Sequence, residues 1–306
     1  MDYILKTTNL TKTLNNNDVV SALNMQVKRG EIYGFLGPNG AGKTTTLKLI
    51  VNLLKPNNGE IEIFGEKLKK DSYDVLKRIG AIIETPVFYE KLTAVENLKL
   101  HCEYMGLYDY KVINEVLNLV DLKEIENKKV KDFSLGMKQR LGIARAIITK
   151  PEFLILDEPI NGLDPIGIKA VRELFTMLNK EYGTTILISS HILTEIEQIA
   201  DTIGVINKGV LIEQVSMESI RESNKEYLEV VTNGVTKAAY ILENELNITN
   251  FKVMDNNIIR IYDLITPQNI ITKALIIKDI NIESISKKVC SLEEHFIRLL
   301  GGNENA

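Results

Sequence analysis

The sequence predicts an α/β fold built on a largely parallel sheet, followed by a small α+β domain. Three observations carry that expectation. Through roughly residue 215, short apolar runs alternate with amphipathic stretches of helical length. A glycine-rich segment, GPNGAGKTT at 37–45, stands between one such strand and one such helix. Beyond a polar segment at 219–225, SIRESNK, the rhythm changes to strand, helix, strand, strand, helix, strand, an order that fits a ferredoxin-like or split-βαβ unit.

In chain order, EIYGFLG (31–37) reads as a buried strand and TTTLKLIVNLL (44–54) as the helix after it. The stretch IIETPVFYEKLTAVENL (82–98) ends a strand, breaks at Thr85-Pro86 and resumes as helix near Thr93. Residues 93–148 lack strand signals and are expected to be mostly helical. FLILDEP (153–159) and TTILISSH (184–191) are two more buried strands, each with a helical stretch behind it. In the C-terminal part, EYLEVVT, NFKVMDN, IIRIYD and NIESISKK read as strands. Helices are expected up to Leu246, from Pro267, and over SLEEHFIRLL (291–300), with GGNENA (301–306) as a disordered tail. The expected domains are 1–222 and 223–300.

Composition bounds the function. The 306 residues are 44% hydrophobic and 25% charged, and 37 basic against 41 acidic side chains leave a net charge of −4. A general nucleic-acid binder is usually basic, so no nucleic-acid partner is expected. Cys102 and Cys290 are far apart and in no metal-ligand spacing, as in a reducing compartment. The N-terminus, MDYILKTTNLTKTL, lacks a secretory pattern, and no run reaches the ~20 apolar residues that cross a bilayer. The expectation is a chain soluble by itself, with any membrane role supplied by a partner.

GPNGAGKTT fits G-x-x-x-x-G-K-[ST] in the setting its mechanism requires. Gly37, Gly40 and Gly42 let the backbone N–H groups of a loop that also contains Pro38, Asn39 and Ala41 converge on phosphate oxygens. The following helix, from Lys43 through Thr44 and Thr45, aims its positive end at the same point. Lys43 can reach the β- and γ-phosphates, and the Thr44 hydroxyl can serve Mg2+. Asp157 and Glu158 close an apolar strand, and at the carboxyl end of a strand in an open α/β sheet they face the ligand crevice. Asp157 suits Mg2+, and Glu158 suits polarising an attacking water. Ser134 and the N–H of Gly136 open a helix in SLGMKQR, where they can bind phosphate or simply cap. His191 ends a strand of the same sheet. His101 and His295 form no metal cluster with it.

Four pieces in this order, GPNGAGKTT, SLGMKQR, LILDEP followed by NGLDP, and His191, resemble the ATP-binding subunit of an ABC transporter over about residues 3–215. The resemblance implies a P-loop cassette with a helical subdomain at about 85–148. It also implies a head-to-tail homodimer in which each ATP lies between the Lys43 loop of one chain and the Ser134–Gly136 segment of the other. It makes Glu158 the catalytic base, His191 the γ-phosphate sensor and Asp164 a coupling residue across the dimer. Glu84 stands where the family carries a Gln that meets Mg2+ and the attacking water, in a loop that receives the permease. IE-x-P at this point, with a C-terminal extension, resembles the branch exporting bacitracin-like and lantibiotic peptides, on the inner face of the cell membrane. Two departures stand out: F-S-L-G-M replaces L-S-G-G-Q, and Leu14 takes the place of the aromatic that stacks on adenine. The competing expectations are an exporter of another drug, lipid or ion, and an ABC-type ATPase acting on ribosomes or DNA. Against the latter stand a single cassette and the lack of heptad runs.

Overall fold

The computed structural model describes residues 2–289 except 224, 225, 255, 256 and 264, together with Phe296 and Leu299. It divides into two compact units, Met1–Met217 and Glu218–Ala306. The helix expected over 291–300, the tail from Gly301 and His295 thus lie outside the described residues, Phe296 and Leu299 apart.

The first unit opens with an antiparallel sheet that the alternating rhythm does not predict. It comprises β1 (Tyr3–Leu14), β2 (Asn17–Leu23), β3 (Gln26–Lys28), β5 (Asn58–Ile63) and β6 (Glu66–Lys67). Strands β1 and β2 form a hairpin whose turn is Asn15-Asn16, at φ 50° and 64°. Asparagine tolerates this left-handed region better than other side-chain-bearing residues. The main sheet has β4 (Ile32–Leu36), β7 (Ile79–Ile82), β8 (Phe153–Asp157), β9 (Thr185–Ser190), β10 (Thr202–Asn207) and β11 (Val210–Ser216), in the order β11-β10-β4-β9-β8-β7. All its pairings are parallel except β10 with β11. Strands β4, β8 and β9 are buried at every position, as expected for parallel strands covered on both faces.

Helix α1 (Lys43–Ile50) follows β4, and α2 (Tyr73–Lys77) precedes β7. Between β7 and β8 come α3 (Ala94–Met105), α4 (Lys111–Leu119) and α5 (Leu135–Ile147). Thr93 starts α3 with a reciprocal cap: its Oγ1 accepts from Glu96 N at 3.2 Å, and Glu96 Oε2 accepts from Thr93 N at 2.7 Å. Helix α5 comes so close to β7 that a Cβ on Gly80 would lie 2.1 Å from Ala146 O, so only glycine fits there. Helices α6 (Pro165–Tyr182), α7 (Leu193–Glu197) and α8 (Met217–Ser223) complete the series. Since α8 occupies most of SIRESNK, the chain divides within a helix rather than along a loose linker.

The second unit contains β12 (Glu226–Thr232), α9 (Val235–Asn244), β13 (Phe251–Met254), β14 (Ile258–Ile261), α10 (Gln268–Ile277) and β15 (Ile282–Val289). Its sheet is antiparallel in the order β13-β14-β12-β15. Leu228, Val230, Ile259 and Ile261 of the sheet pack on Ala238, Ile241, Leu242, Ile271 and Leu275 of the helices. Leu228 and Val230 alternate along β12, and Ile259 and Ile261 along β14, to supply one apolar face that the two helices cover.

Candidate active site

The strand order decides where the site is. Strands β4, β9, β8 and β7 are consecutive neighbours and parallel, so their carboxyl ends meet at one edge. β4 delivers the glycine loop, β9 delivers His191, β8 delivers Asp157 and Glu158, and β7 delivers Glu84.

A cleft of about 330 Å³ opens there, lined by Val19, the loop from Pro38 to Thr45, Glu158, Asn161 and His191. Gly42, at φ 109°, caps α1, and a Cβ there would lie 2.5 Å from Val19 O. The loop therefore reaches the helix start only through a glycine. Lys43 is 6% exposed. Its Nζ donates to Gly37 O at 2.7 Å and Pro38 O at 3.4 Å and lies 3.4 Å from Glu158 Oε1. The cation is thus held beneath the loop by oxygens, as an ammonium awaiting a stronger anion must be.

Asp157, 4% exposed, is the most connected acid of the site. Thr44 Oγ1 donates to its Oδ2 at 2.8 Å, Ser189 Oγ donates to its Oδ1 at 2.6 Å, and Glu84 N lies 3.3 Å from Oδ2. Glu158, at φ 49°, turns sharply out of the strand. Its N–H is held by Ser189 Oγ and Ser189 O at 3.1 and 3.2 Å, and its Oε2 meets His191 Nδ1 at 2.8 Å. Lys43, Glu158 and His191 thus form one chain of contacts across the cleft floor.

The other expected residues fall elsewhere. Ser134 is exposed and caps α5, accepting from Met137 N at 3.2 Å. Asp164 caps α6, accepting from Gly167 N at 3.0 Å. Neither residue, nor Gly136, lines the cleft. Leu14 also lies off it, whereas Val19 lines it together with the glycine loop. Glu84 reaches the site by its main chain only: its carboxylate, 61% exposed, takes Lys48 Nζ at 2.7 Å. A charge-paired acid facing outward differs from the expected acid facing the cleft. The expectation overlooked Lys48, one turn into α1.

Ser189 was also missed. A wholly buried hydroxyl at the end of an apolar strand needs a partner, and TTILISSH carried that signal. Asn161 had no local signal.

A family model described as ABC transporter matches residues 20–161. Over 303 residues the chain is 60% identical to the uncharacterized ABC transporter ATP-binding protein YcbN of Bacillus subtilis (strain 168), with 99% of each chain covered. The chain belongs to the ABC transporter ATP-binding family. It is also 47% identical over 302 residues to the bacitracin transport ATP-binding protein BcrA of Bacillus licheniformis, again covering 99% of each. To the lantibiotic transport ATP-binding protein SrtF of Streptococcus pyogenes it is 44% identical over 209 residues, 68% of this chain and 89% of that one. Among solved structures, the dimeric cassette MJ0796 with ADP and Pi is similar at TM-score 0.64 and 27% identity, over 70% of this chain and 98% of that one. This cassette is an ATP-binding ABC ATPase, and its fold is that of the family. Among the described residues no helix is long and apolar enough to cross a membrane.

Proposed function

We propose that this cassette powers export of a bacitracin-like peptide antibiotic, as a homodimer seated on a membrane permease at the inner face of the cell membrane. The observation that carries the reading is the likeness to BcrA over 99% of both chains, which takes in the second unit as well as the cassette. SrtF supports the same substrate class over the cassette. The test is a resistance assay in a sensitive host carrying this chain with a candidate permease. The expected result is raised bacitracin tolerance that Glu158→Gln abolishes. Tolerance unchanged by the wild-type pair, with the ATPase active, would remove the substrate assignment and leave the ATPase.

Mg2+ fits the oxygens at hand. Thr44 Oγ1 and the Asp157 carboxylate stand together at the start of α1, and Mg2+ takes few protein ligands beside phosphate and water. No cluster of three or more His, Cys, Asp or Glu able to hold a metal occurs among the described residues, so the ion would arrive with the nucleotide. When bound, Mg2+ neutralises phosphate charge.

The chain's own residues do the rest. The loop N–H groups and the α1 dipole bind the phosphates. Lys43 exchanges its carbonyl partners for β- and γ-phosphate oxygens. That exchange frees Glu158 Oε1 to accept a proton from the attacking water, while His191 fixes Oε2. Ser189 holds both Asp157 and the Glu158 amide and so sets the acids relative to each other. Ser134 and Gly136 serve the γ-phosphate held by a second chain, and Asp164 links the two chains.

Glu84 belongs to this reading as a charge at the cleft's rim. Its pair with Lys48 is a partly exposed one, worth ~1 kcal/mol at most, so a switch of the carboxylate toward the metal costs little. Glu84→Gln is expected to leave the fold and ATP binding intact and to shift the Mg2+ dependence of hydrolysis; Glu84→Ala should shift it further. Superimposable Mg2+ titrations for wild type, Gln and Ala would reduce Glu84 to a surface acid.

A further inference from the structure

Two serines close strand β9, and only one of them meets the acids. Side chains alternate across a strand, so Ser189 and Ser190 point to opposite faces. Both are wholly buried. Ser190 Oγ serves the turn that follows, accepting from Ile192 N at 2.9 Å. Ser189 stands beside Asp157 in the parallel register of β8 and β9. Its hydroxyl has one proton and two lone pairs. The proton goes to Asp157 Oδ1 at 2.6 Å, and a lone pair takes the Glu158 N–H at 3.1 Å. One oxygen thus bridges two acids: the side chain of the one that suits Mg2+ and the main chain of the one that suits water.

That bridge bears on the base because of how Glu158 is held. Its backbone lies at φ 49°, in the left-handed region that a residue with a Cβ enters only at a cost in free energy. Its carboxylate is gripped at both oxygens, with Lys43 Nζ 3.4 Å from Oε1 and His191 Nδ1 2.8 Å from Oε2. Once Lys43 turns to phosphate, the Oε1 contact is gone. The base then depends on His191 and on its own main chain. There the N–H lies on Ser189 O at 3.2 Å as well as on Ser189 Oγ, and the carbonyl accepts from Asn161 N at 3.2 Å. Ser189 Oγ alone of these contacts also holds Asp157. Asp157 keeps its place without it, since Thr44 Oγ1 donates to Oδ2 at 2.8 Å and Glu84 N lies 3.3 Å from the same oxygen.

We infer that Ser189 is a positioning residue for hydrolysis: its hydroxyl fixes the turn carrying Glu158 against Asp157. It governs the rate of the chemical step and leaves nucleotide binding to Lys43 and the glycine loop. Ser189 is wholly buried and does not line the cleft, so it acts only through the two acids. This role rests on the reading of Glu158 as base. A partner that orients a functional group from behind typically carries roughly ten- to a hundredfold in activity, because a small displacement of a reacting group is costly.

The test compares Ser189→Ala, Ser189→Thr and Ser189→Val in the full chain, the first of them also combined with Glu158→Gln. Turnover is read as phosphate release at saturating Mg2+ and ATP, and ATP affinity by calorimetry. Circular dichroism on each variant establishes that it is folded. Ser189→Ala is expected to lower turnover roughly ten- to a hundredfold and to leave ATP affinity within about threefold of wild type. Thr and Val match in size, so that pair isolates the hydroxyl, and the Thr variant should turn over ~tenfold or more faster than the Val variant. On the Glu158→Gln background, where the base is already gone, Ser189→Ala should cost less than about threefold further. Near-wild-type turnover in Ser189→Ala overturns the inference, as do equal rates for the Thr and Val variants or an affinity that falls as far as turnover. An undiminished loss on the Glu158→Gln background overturns it too, by showing that the serine does not act through the base. Wild-type turnover in Glu158→Gln alone is a different failure: it removes the reading of Glu158, and the role of Ser189 with it.

Discussion

Glu158→Gln turns the cassette into a protein that binds ATP and hardly hydrolyses it. The amide keeps the reach and shape of the side chain but cannot take a proton from water. Removing a positioned general base costs ~10²–10⁴-fold in rate. The contacts argue that the site survives the change. The N–H of residue 158 remains on Ser189. His191 Nδ1, now 2.8 Å from a carboxylate oxygen, can still meet an amide. Lys43 loses one of three oxygen neighbours and keeps Gly37 O and Pro38 O. ATP is therefore expected to remain occluded through desalting, while turnover measured by phosphate release falls by two to four orders of magnitude. Turnover within a factor of a few of wild type would remove Glu158 from the role of base.

Lys43→Ala gives the opposite separation, a loss of binding rather than of chemistry alone. The Lys43 ammonium is almost fully buried, and charge-assisted hydrogen bonds are worth about 1.5–3 kcal/mol each. Losing those made to phosphate should weaken ATP affinity by roughly ten- to a hundredfold. The apo fold should tolerate the change. Pro38 lines the open cleft, from which water can enter the space the ammonium leaves, and Glu158 retains His191. The measurement is ATP affinity by calorimetry on the isolated chain. An affinity equal to wild type would mean that the phosphates lie elsewhere than over the loop.

How much of this could be read from the residues alone follows from the range of each signal. The glycine loop, the acids of FLILDEP and His191 were legible because each is a local pattern at a strand end, and parallel strands bring their ends to one edge. The α3 start was legible because Thr93 and Glu96 cap each other within one turn. The N-terminal antiparallel sheet was not, because β1 mixes Thr, Lys and Asn and its partner β5 lies beyond a helix. Only the Asn15-Asn16 turn betrays the hairpin. The direction of the Glu84 side chain depends on Lys48, which is distant in sequence and unremarked in any motif. The pairing of β12 with both β14 and β15 is likewise a long-range choice. The order of strands and helices makes that choice possible without fixing its register, which shifts between Val231 and Thr232 where β12 meets β15.

In the proposed dimer a complete ATP site takes two chains, one giving Lys43, Thr44, Asp157, Glu158 and His191 and the other giving Ser134 and Gly136. Within one chain the second pair stays off the cleft: Ser134 is engaged in capping α5. Ser134→Ala also forfeits that cap, at ~1 kcal/mol, so folding must be checked before binding is compared. The direct measurement mixes two proteins, both carrying Glu158→Gln so that bound ATP is not consumed. One also carries Lys43→Ala and the other Ser134→Ala. A mixed dimer then has one site built from an intact Lys43 and an intact Ser134, and one site lacking both. Neither protein is expected to occlude ATP alone, whereas the mixture is, at up to one ATP per mixed dimer. A mixture that occludes no more than its components would contradict the shared site, as would a Ser134→Ala protein that occludes ATP fully by itself.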